Sequence, residues 1–295
     1  MCGIFGLISY GNVDRSRAIA YKKVIRNLLV ASQIRGSDAA GLCVLSGSEV
    51  QLFKNDVPAK VFVVDARYEE VTSTINNSFR YAIGHTRAQT KGNKRYNDNN
   101  HPIIAGKVIG VHNGVIANDD ILFGEYKESI ERAGRVDSEI IFRLIDFHIR
   151  SGMSIVESVR NVYLLLSGGY SCAFMHVDNP RYVTLFRDSK FGAIVLFMSK
   201  ITKTLVFAST EIIAKNSIAG MTDIGADILD NQIKFDTAIR IDTTNGNMYP
   251  FEVGDINTTV THNNPRCGLA EFDPTAGNKD TLCGEDCLIC EYNAA

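Results

Sequence analysis

The first six residues, Met1-Cys2-Gly3-Ile4-Phe5-Gly6, contain the groups of a nucleophile that carries its own base. If the initiator methionine is removed, as is usual before a small side chain, Cys2 presents a thiol and a free α-amine on one carbon. An α-amine of pKa about 7.7 to 8.0 can take the proton of a thiol of pKa about 8.5 near neutral pH. Alternatively, Cys2 simply begins a buried strand, because cysteine is among the most buried residue types.

A second candidate site element is the pair Asn113-Gly114, which follows an apolar segment ending at His112. Attack of a thiolate on a carboxamide places negative charge on the carbonyl oxygen, and preset N–H donors stabilise that charge. Asn113 and Gly114 can supply such donors. The alternative is an ordinary Asn-Gly turn that ends one strand and leads to the next.

Six motifs occur in an order and spacing that resemble the class II glutamine amidotransferase domain, a member of the N-terminal-nucleophile hydrolases. The spacing is most similar to that of the glutaminase domain of the glucosamine-6-phosphate synthases, and the resemblance extends from Met1 to Val253. The motifs are Met1 to Gly6, Arg35-Gly36-Ser37-Asp38-Ala39-Ala40-Gly41, His85-Thr86-Arg87 with Thr90 and Gly92, Asn99-Asn100-His101-Pro102, His112-Asn113-Gly114-Val115-Ile116-Ala117-Asn118, and Asp137-Ser138-Glu139.

The resemblance implies an α+β fold, a four-layer αββα sandwich of the N-terminal-nucleophile hydrolase type. It also implies hydrolysis of L-glutamine to glutamate and ammonia through a thioester on Cys2. In this family pattern the side-chain amide of Asn113 and the backbone N–H of Gly114 form the oxyanion hole. No cofactor is implied for this reaction.

The family pattern assigns substrate-binding roles to three further positions. Arg87 offers a two-pronged donor for the α-carboxylate of glutamine, and Asp137 offers a carboxylate for its ammonium group. Thr90, in the same loop as Arg87, is a candidate for a further hydrogen bond to the substrate. Alternatively, Arg87 is a surface charge and Asp137 a helix cap, which are commoner roles for such residues.

Four other polar residues are expected to support the site from behind. They are Arg35, His85, His101 and His112. No metal or separate imidazole base is needed when the α-amine is available, and a histidine beside a strand is usually a hydrogen-bonded structural residue.

Two positions depart from the family pattern after Arg87. The related synthases commonly have a large aromatic residue where this chain has Ala88, and a histidine near the position of Lys91. We expect the loss of the aromatic wall to alter glutamine affinity or the coupling of glutamine binding to a partner domain. We expect an active glutaminase with altered closure of the loop that runs from Arg87 to His101.

The composition changes near residue 255, where large apolar residues become rare. We therefore predict a glutamine amidotransferase domain over residues 1–254 and a tail or small appendage over 255–295. Cys283, Cys287 and Cys290, with Cys267 upstream, could bind a structural Zn²⁺ through four thiolates. The alternative is free cytosolic thiols on a loose tail.

The pattern of apolar residues predicts strands at both ends of the chain with helices between them. Asn113-Gly114 is expected to end a strand, and Asp137 with Ser138 to cap a helix. The predicted strands are 2–9, 40–45, 49–54, 80–85, 107–112, 170–177, 182–186, 193–198, 204–208, 232–242 and 248–253. The predicted helices are 14–34, 58–75, 121–133, 137–150, 154–165 and 209–218.

Composition excludes several classes of function. The 295 residues have a net charge of −2 and no long basic block, so neither nucleic acid nor an anionic membrane is an expected partner. There is no apolar run of about 18 residues and no signal peptide, which predicts a cytoplasmic protein. The odd number of seven cysteines favours reduced thiols over a disulfide framework.

The expected function is therefore glutaminase activity, with ammonia passed to a separate acceptor synthase subunit or with the domain acting alone. One alternative is hydrolysis of another γ-glutamyl amide, which a pocket opened by Ala88 could admit. A second alternative is a scaffold that retains the fold without catalysis and docks a partner through its tail. Retention of Met1 would block the amine and favour the scaffold.

Overall fold

The computed structural model describes residues 1–188, 192–219, 231–234 and 236–254. The predicted tail, with its candidate zinc ligands Cys267, Cys283, Cys287 and Cys290, lies outside these residues. The strands are β1 (Gly3–Ser9), β2 (Ala39–Ser46), β3 (Glu49–Asn55), β4 (Phe79–Arg87), β5 (Ile103–Ala105), β6 (Val108–Ile116), β7 (Gly168–His176), β8 (Asn179–Arg187), β9 (Val195–Ser199), β10 (Thr204–Ala208), β11 (Asn231–Gln232), β12 (Thr237–Asp242) and β13 (Met248–Glu252). The helices are α1 (Arg15–Ser32), α2 (Ala59–Phe62), α3 (Ala66–Ser73), α4 (Asp119–Glu125), α5 (Glu139–Arg150), α6 (Ile155–Leu165) and α7 (Glu211–Ile218).

The described strands form two antiparallel sheets. The first sheet has the order β11-β9-β10-β1-β4-β2-β3, and the second has the order β13-β12-β8-β7-β6-β5. In the first sheet the N-terminal strand β1 lies between β10 and β4, and Gly3 pairs with Thr86. The start of the chain is therefore held between two neighbouring strands and not at an edge.

Three hydrophobic cores separate four layers. One core joins the first sheet to α1, α2, α3 and α7, and another joins the second sheet to α4, α5 and α6. The middle core lies between the two sheets, with Ile83 from the first sheet and Leu185 from the second among its members. The predicted four-layer αββα sandwich is confirmed.

Strand β1 is buried on both of its faces, each in a different hydrophobic core. Phe5 and Leu7 point into the core beneath the helices, whereas Ile4 and Ile8 point into the core between the sheets. Side chains alternate between the faces of a strand, so a strand buried on both faces is apolar throughout. Every residue of β1 is buried accordingly.

Three predictions of local structure are wrong. Strand β6 does not stop at His112 but continues to Ile116, because Asn113 and Gly114 pair with Ser171 and Tyr170 of β7. The helix predicted over 121–133 occupies only 119–125. Asp137 does not cap α5, since its carboxylate accepts a hydrogen bond from the backbone N–H of Ile116 at 2.8 Å.

Most other elements match their predictions to within a few residues. The side chain of Asp14 caps α1 by accepting from Arg17 N–H, and Ser154 with Glu157 forms a capping box on α6. The segment predicted as one helix over 58–75 consists of the two short helices α2 and α3. Among the described residues, no helix is long and apolar enough to cross a membrane.

Candidate active site

The sulfur of Cys2 lies against the backbone of Ala88, just beyond the end of β4. The Sγ atom is 3.4 Å from the Ala88 nitrogen and 3.5 Å from the Ala88 oxygen. A thiol can donate to that carbonyl, and a thiolate can accept from that N–H. The predicted nucleophile is half-buried, and a backbone donor is already aimed at it.

The loop of Arg35 packs against the residue that carries the thiol. Arg35 donates from Nε to the carbonyl oxygen of Cys2 at 2.7 Å. A Cβ on Gly36 would lie 2.3 Å from the Ala88 nitrogen, so only glycine allows the two backbones to approach this closely. Asp38 completes the contact by accepting from the Gln89 N–H at 2.8 Å.

The pair Asn113-Gly114 lies in the second sheet, inside β6. Asn113 is fully buried, and neither polar atom of its amide has a hydrogen-bond partner among the described residues. Gly114 has a φ of 153°, and a Cβ there would lie 2.1 Å from the Gly169 oxygen. A free buried amide beside a backbone that only glycine can adopt is the arrangement expected of an oxyanion hole.

Gly192 flanks this amide and was not predicted from the sequence. It has a φ of 50°, and a Cβ at this position would be 3.0 Å from the Asn113 Nδ2 atom. Its carbonyl accepts from the Ser171 hydroxyl at 3.2 Å. Strands β7 and β8 lie between Asn113 and Gly192 in the chain, so motif spacing gave no signal for Gly192.

Arg87 is buried and holds the loop that follows it. Its guanidinium donates to the Asn100 side chain at 2.8 Å and to the carbonyl oxygens of Lys91 and Gly92, each at 2.7 Å. These contacts use three of the five guanidinium N–H groups and leave two for a ligand. Thr90 is exposed on the same loop.

Asn99 and Asn100 organise this loop, although the sequence argument gave them no individual role. Asn99 donates to the Asn93 carbonyl at 2.8 Å and accepts from the Arg135 N–H at 2.6 Å. Asn100 donates to the Lys94 carbonyl at 2.7 Å while it accepts from Arg87. Their position beside His101 was the available signal.

Electrostatic interactions connect the nucleophile to both predicted substrate-binding charges. Burial raises the pKa of the Cys2 thiol; the Ala88 hydrogen bond, the chain's amino terminus and Arg87 lower it, and Asp137 raises it. Burial lowers the pKa of Arg87, while Cys2 and Asp137 act in the opposite direction. Cys2, Arg87 and Asp137 are therefore near enough to influence one another's ionisation.

The three predicted supporting histidines form a buried group behind that site. His85 donates from Nε2 to the His112 carbonyl at 3.0 Å, which links the two sheets, and His101 stacks on His85 with ring centroids 4.0 Å apart. The His112 Nδ1 atom is 2.6 Å from the Ser138 hydroxyl. Both ring nitrogens of His101 lack a partner among the described residues.

Burial keeps these imidazoles neutral. It lowers the pKa of His85 to about 3, and it lowers the pKa values of His101 and His112 as well. Within the described part of the chain, no group of three or more His, Cys, Asp or Glu side chains is arranged to hold a metal ion. The site therefore contains charged groups and hydrogen-bond donors, with no charged imidazole.

Comparison with known proteins identifies the family. Residues 85–214 match the family model of a glutamine amidotransferase domain. This chain carries a class II glutamine amidotransferase domain. Glutamine–fructose-6-phosphate aminotransferase (isomerizing) of Staphylococcus epidermidis is 32% identical over 186 residues, which cover 61% of this chain and 28% of the relative. The enzyme of the same name from Geobacillus kaustophilus is 33% identical over 184 residues, which cover 62% of this chain and 28% of the relative.

The amidotransferase domain thus spans little more than a quarter of the length of these curated relatives. Its fold also resembles that of glutamine phosphoribosylpyrophosphate amidotransferase from B. subtilis, with a TM-score of 0.63 and 18% identity over 87% of this chain and 50% of that one. A glutamine aminotransferase class-II domain protein from Silicibacter pomeroyi gives a TM-score of 0.51 and 12% identity over 84% of this chain and 98% of that one. The fold is that of the N-terminal-nucleophile amidotransferases.

Proposed function

We propose that this domain hydrolyses L-glutamine to glutamate and ammonia with Cys2 as the nucleophile. The observation that carries the proposal is the position of the Cys2 sulfur against the backbone of Ala88, directly after Arg87, with Arg87 and Asp137 both near enough to affect the pKa of the thiol. A thiol, a cation and an anion are the groups needed to attack the side chain of an amino acid while holding its two charged ends.

The reaction begins with transfer of the thiol proton to the α-amine of Cys2, freed by removal of Met1. Because burial raises the pKa of this thiol, it stays protonated at neutral pH without such a base. The thiolate attacks the carboxamide carbon, and the oxyanion receives hydrogen bonds from the Asn113 amide and the Gly114 N–H.

The tetrahedral intermediate collapses as the carbon–nitrogen bond breaks. The amine returns its proton to the departing nitrogen, which leaves as ammonia, and a thioester remains on Cys2. The amine then accepts a proton from water, whose oxygen attacks the thioester carbon. Glutamate leaves as the proton returns to the sulfur, so one water is consumed for each glutamine.

Arg87 binds the α-carboxylate of glutamine, Asp137 binds its ammonium group, and Thr90 is a secondary contact on the same loop. The two guanidinium N–H groups that Arg87 does not use internally support this assignment. Ammonia then passes to a separate acceptor synthase subunit. The curated relatives are named as aminotransferases and extend well beyond the matched region within one chain, which supports transfer of ammonia to an acceptor and leaves its being a separate subunit as our proposal.

Replacement of Cys2 by Ala tests the mechanism directly. We expect Cys2→Ala to abolish glutamate formation while the thermal unfolding midpoint stays within a few degrees of wild type, because Cys2 is only half-buried. Glutamate release is measured with purified protein whose mature N-terminus has been determined by mass spectrometry.

The matched control is Cys43→Ala, which removes a thiol from the core between the sheets. This variant should lose stability, by about 1–2 kcal/mol for the lost apolar volume, and keep its glutaminase activity. Glutamate formation by Cys2→Ala at the wild-type rate would refute the mechanism. A mature protein that retains Met1 and is inactive would favour the scaffold hypothesis.

A second candidate function is hydrolysis of another γ-glutamyl amide. The half-exposed side chain of Ala88 lies next to the nucleophile, at a position where the resemblance leads us to expect a large aromatic wall. A small side chain at this position leaves room for a substituent on the amide nitrogen of the substrate. Steady-state kcat/KM values for glutamine and for γ-glutamyl dipeptides distinguish the two functions.

A further inference from the structure

We propose that Lys91 is a positioning residue that fastens the substrate loop, defined as residues 88–96, to helix α4 and thereby fixes the orientation of Arg87. The proposal rests on the proposed function, because Arg87 is the group that would receive the α-carboxylate of the substrate. Lys91 occupies the position near which a histidine is expected from the family pattern.

The ammonium group of Lys91 contacts two consecutive carboxylates at the start of α4. Its Nζ atom lies 2.8 Å and 2.7 Å from the two oxygens of Asp119 and 2.8 Å from an oxygen of Asp120. Burial alone would lower the pKa of Lys91, but its hydrogen bonds with Asp119 and Asp120 outweigh that effect and raise it. The side chain of Lys91 is 37% exposed, whereas that of Asp119 is 3% exposed.

Arg132 completes a four-residue network around the same carboxylates. Its guanidinium lies 2.6 Å from Asp120 and 3.1 Å from Asp119, and it stacks over the Phe123 ring at 4.5 Å. An isolated surface ion pair contributes little, but a network with a buried member is held in one geometry. Asp119 is therefore a fixed anchor for Lys91.

Helix α4 is itself fixed to the second sheet. Leu122 and Phe123 are buried in the core beneath that sheet, and the helix follows directly from β6, the strand that contains Asn113. The substrate loop, in contrast, follows β4 of the first sheet. Lys91 thus connects the segment after one sheet to the segment after the other.

The backbone of Lys91 is what transmits this attachment to the substrate site. Its carbonyl oxygen accepts from the Arg87 Nη2 atom at 2.7 Å, and the adjacent Gly92 carbonyl accepts from the same atom. Gly92 has a φ of 79°, a conformation that other residues rarely adopt. A shift of Lys91 would therefore release both hydrogens of Nη2 and let the guanidinium turn away from the substrate.

Lys91→Met tests the proposal, because methionine keeps the length of the side chain and removes its charge. We expect the KM for glutamine to rise about fivefold and kcat to change less than twofold, as for the loss of a partly exposed ion pair that positions a binding group. Lys91→Arg should restore most of the affinity. The matched control is Lys127→Met, on an exposed lysine outside the network.

Salt provides a second readout that a merely structural role would not reproduce. Raising NaCl from about 0.05 M to about 1 M screens exposed charges, so it should raise the wild-type KM and leave that of Lys91→Met unchanged. Equal salt dependence in both proteins would overturn the proposal.

Amide hydrogen exchange separates this proposal from the proposed function. Exchange at residues 88–92 should accelerate in Lys91→Met and return towards wild type in Lys91→Arg, whether or not glutamine is hydrolysed. If exchange at residues 88–92 is faster in Lys91→Met but the wild-type protein has no glutaminase activity, the proposed function is refuted and the attachment of the loop by Lys91 still holds. Unchanged exchange at residues 88–92 would overturn the attachment.

Discussion

Among the residues of the proposed site, Asn113 has the surroundings that say most about the chemistry. It is fully buried with neither polar atom paired among the described residues, and such a group costs about 1–3 kcal/mol of folding free energy. The chain bears this cost at a position next to Gly114, whose backbone conformation few other residues can adopt. Both features support the proposed role of Asn113 in stabilising developing charge.

Asn113→Ala should therefore lower kcat by about 10²- to 10³-fold with little change in KM, because the lost donor acts mainly on the oxyanion. The same change removes an unpaired buried amide, so the free energy of unfolding should not fall. Steady-state glutaminase kinetics and urea unfolding measure the two effects.

Asn118→Ala is the matched control for that substitution. The Asn118 side chain donates to the Leu165 carbonyl at 2.9 Å and accepts from the Ser167 N–H at 2.9 Å. Its loss should cost about 1–3 kcal/mol of stability and leave kcat near wild type. If Asn113→Ala keeps the wild-type kcat, Asn113 is not part of the oxyanion hole.

The residues of the proposed site are candidates from the sequence alone because they lie in short motifs. The sequence could not reveal Gly192 and Asn100 as individual members. Gly192 reaches Asn113 only through the pairing of β6 with β7, and the role of Asn100 depends on the path of the loop after Arg87. Contacts of this kind depend on tertiary structure: Gly192 lies in no local pattern, and the motif that contains Asn100 does not define its partner.

At the level of elements, strand β3 supports the site through Lys54. Its ammonium group donates to the carbonyl oxygens of Asn100 at 2.8 Å and Pro102 at 3.0 Å. Burial lowers the pKa of Lys54 to about 8, while Asp98 and Glu139 act in the opposite direction. The lysine thus ties an edge strand of the first sheet to the turn that holds Arg87.

The free energy of unfolding should depend on pH through Lys54. Between about pH 8 and pH 10.4, the value for a lysine in an unfolded chain, the unfolded protein holds a proton that the folded protein has released. Stability contributed by Lys54 therefore rises with pH in this window. The difference in unfolding free energy between wild type and Lys54→Met, measured in urea, should shift in favour of wild type from pH 7.5 to pH 10.

Lys127→Met again serves as a control, since that lysine is exposed and should show no such trend relative to wild type. A difference between wild type and Lys54→Met that is flat across the same window would show that Lys54 titrates normally in the folded protein.

Element positions were predicted well where apolar periodicity was strong, as in β10, whose bounds of 204–208 are those predicted. The prediction failed at Asn113-Gly114 because an Asn-Gly pair is a strong turn signal, and pairing with β7 overrides it. It failed at α4 because the residues after Glu125 have helix-forming composition but make turns around Glu139. The buried carboxylate of Glu139 accepts from the N–H groups of Ala133 and Gly134.

At the level of the whole molecule, the domain boundary and the candidate zinc site stay predictions. A chain that ends at Gly254 should keep its unfolding midpoint and glutaminase activity, because the three cores of the described chain are complete by Val253. Zinc content, measured by atomic absorption before and after this truncation, tests the four tail cysteines. About one zinc per chain that disappears on truncation is the result expected for a thiolate site.

A shortened chain that loses its activity while staying folded would show that residues 255–295 contribute to the site. A full-length chain without bound zinc, purified under reducing conditions, would refute the metal site and favour free thiols. The four layers could be predicted from the resemblance, whereas the motifs of the amidotransferase domain do not identify an acceptor for ammonia.

The division of the site between two sheets has a consequence for how this protein tolerates change. Cys2 is aligned by the first sheet and Asn113 by the second, and the apolar layer between them, crossed by the hydrogen bond from His85 to His112, sets their separation. Under the proposed mechanism, a substitution that breaks this crossing at His85 would alter the spacing of the reacting groups before it unfolds the molecule. Change at this crossing would then be limited first by turnover rate and only later by folding, which makes the contact between the sheets part of the proposed catalytic apparatus.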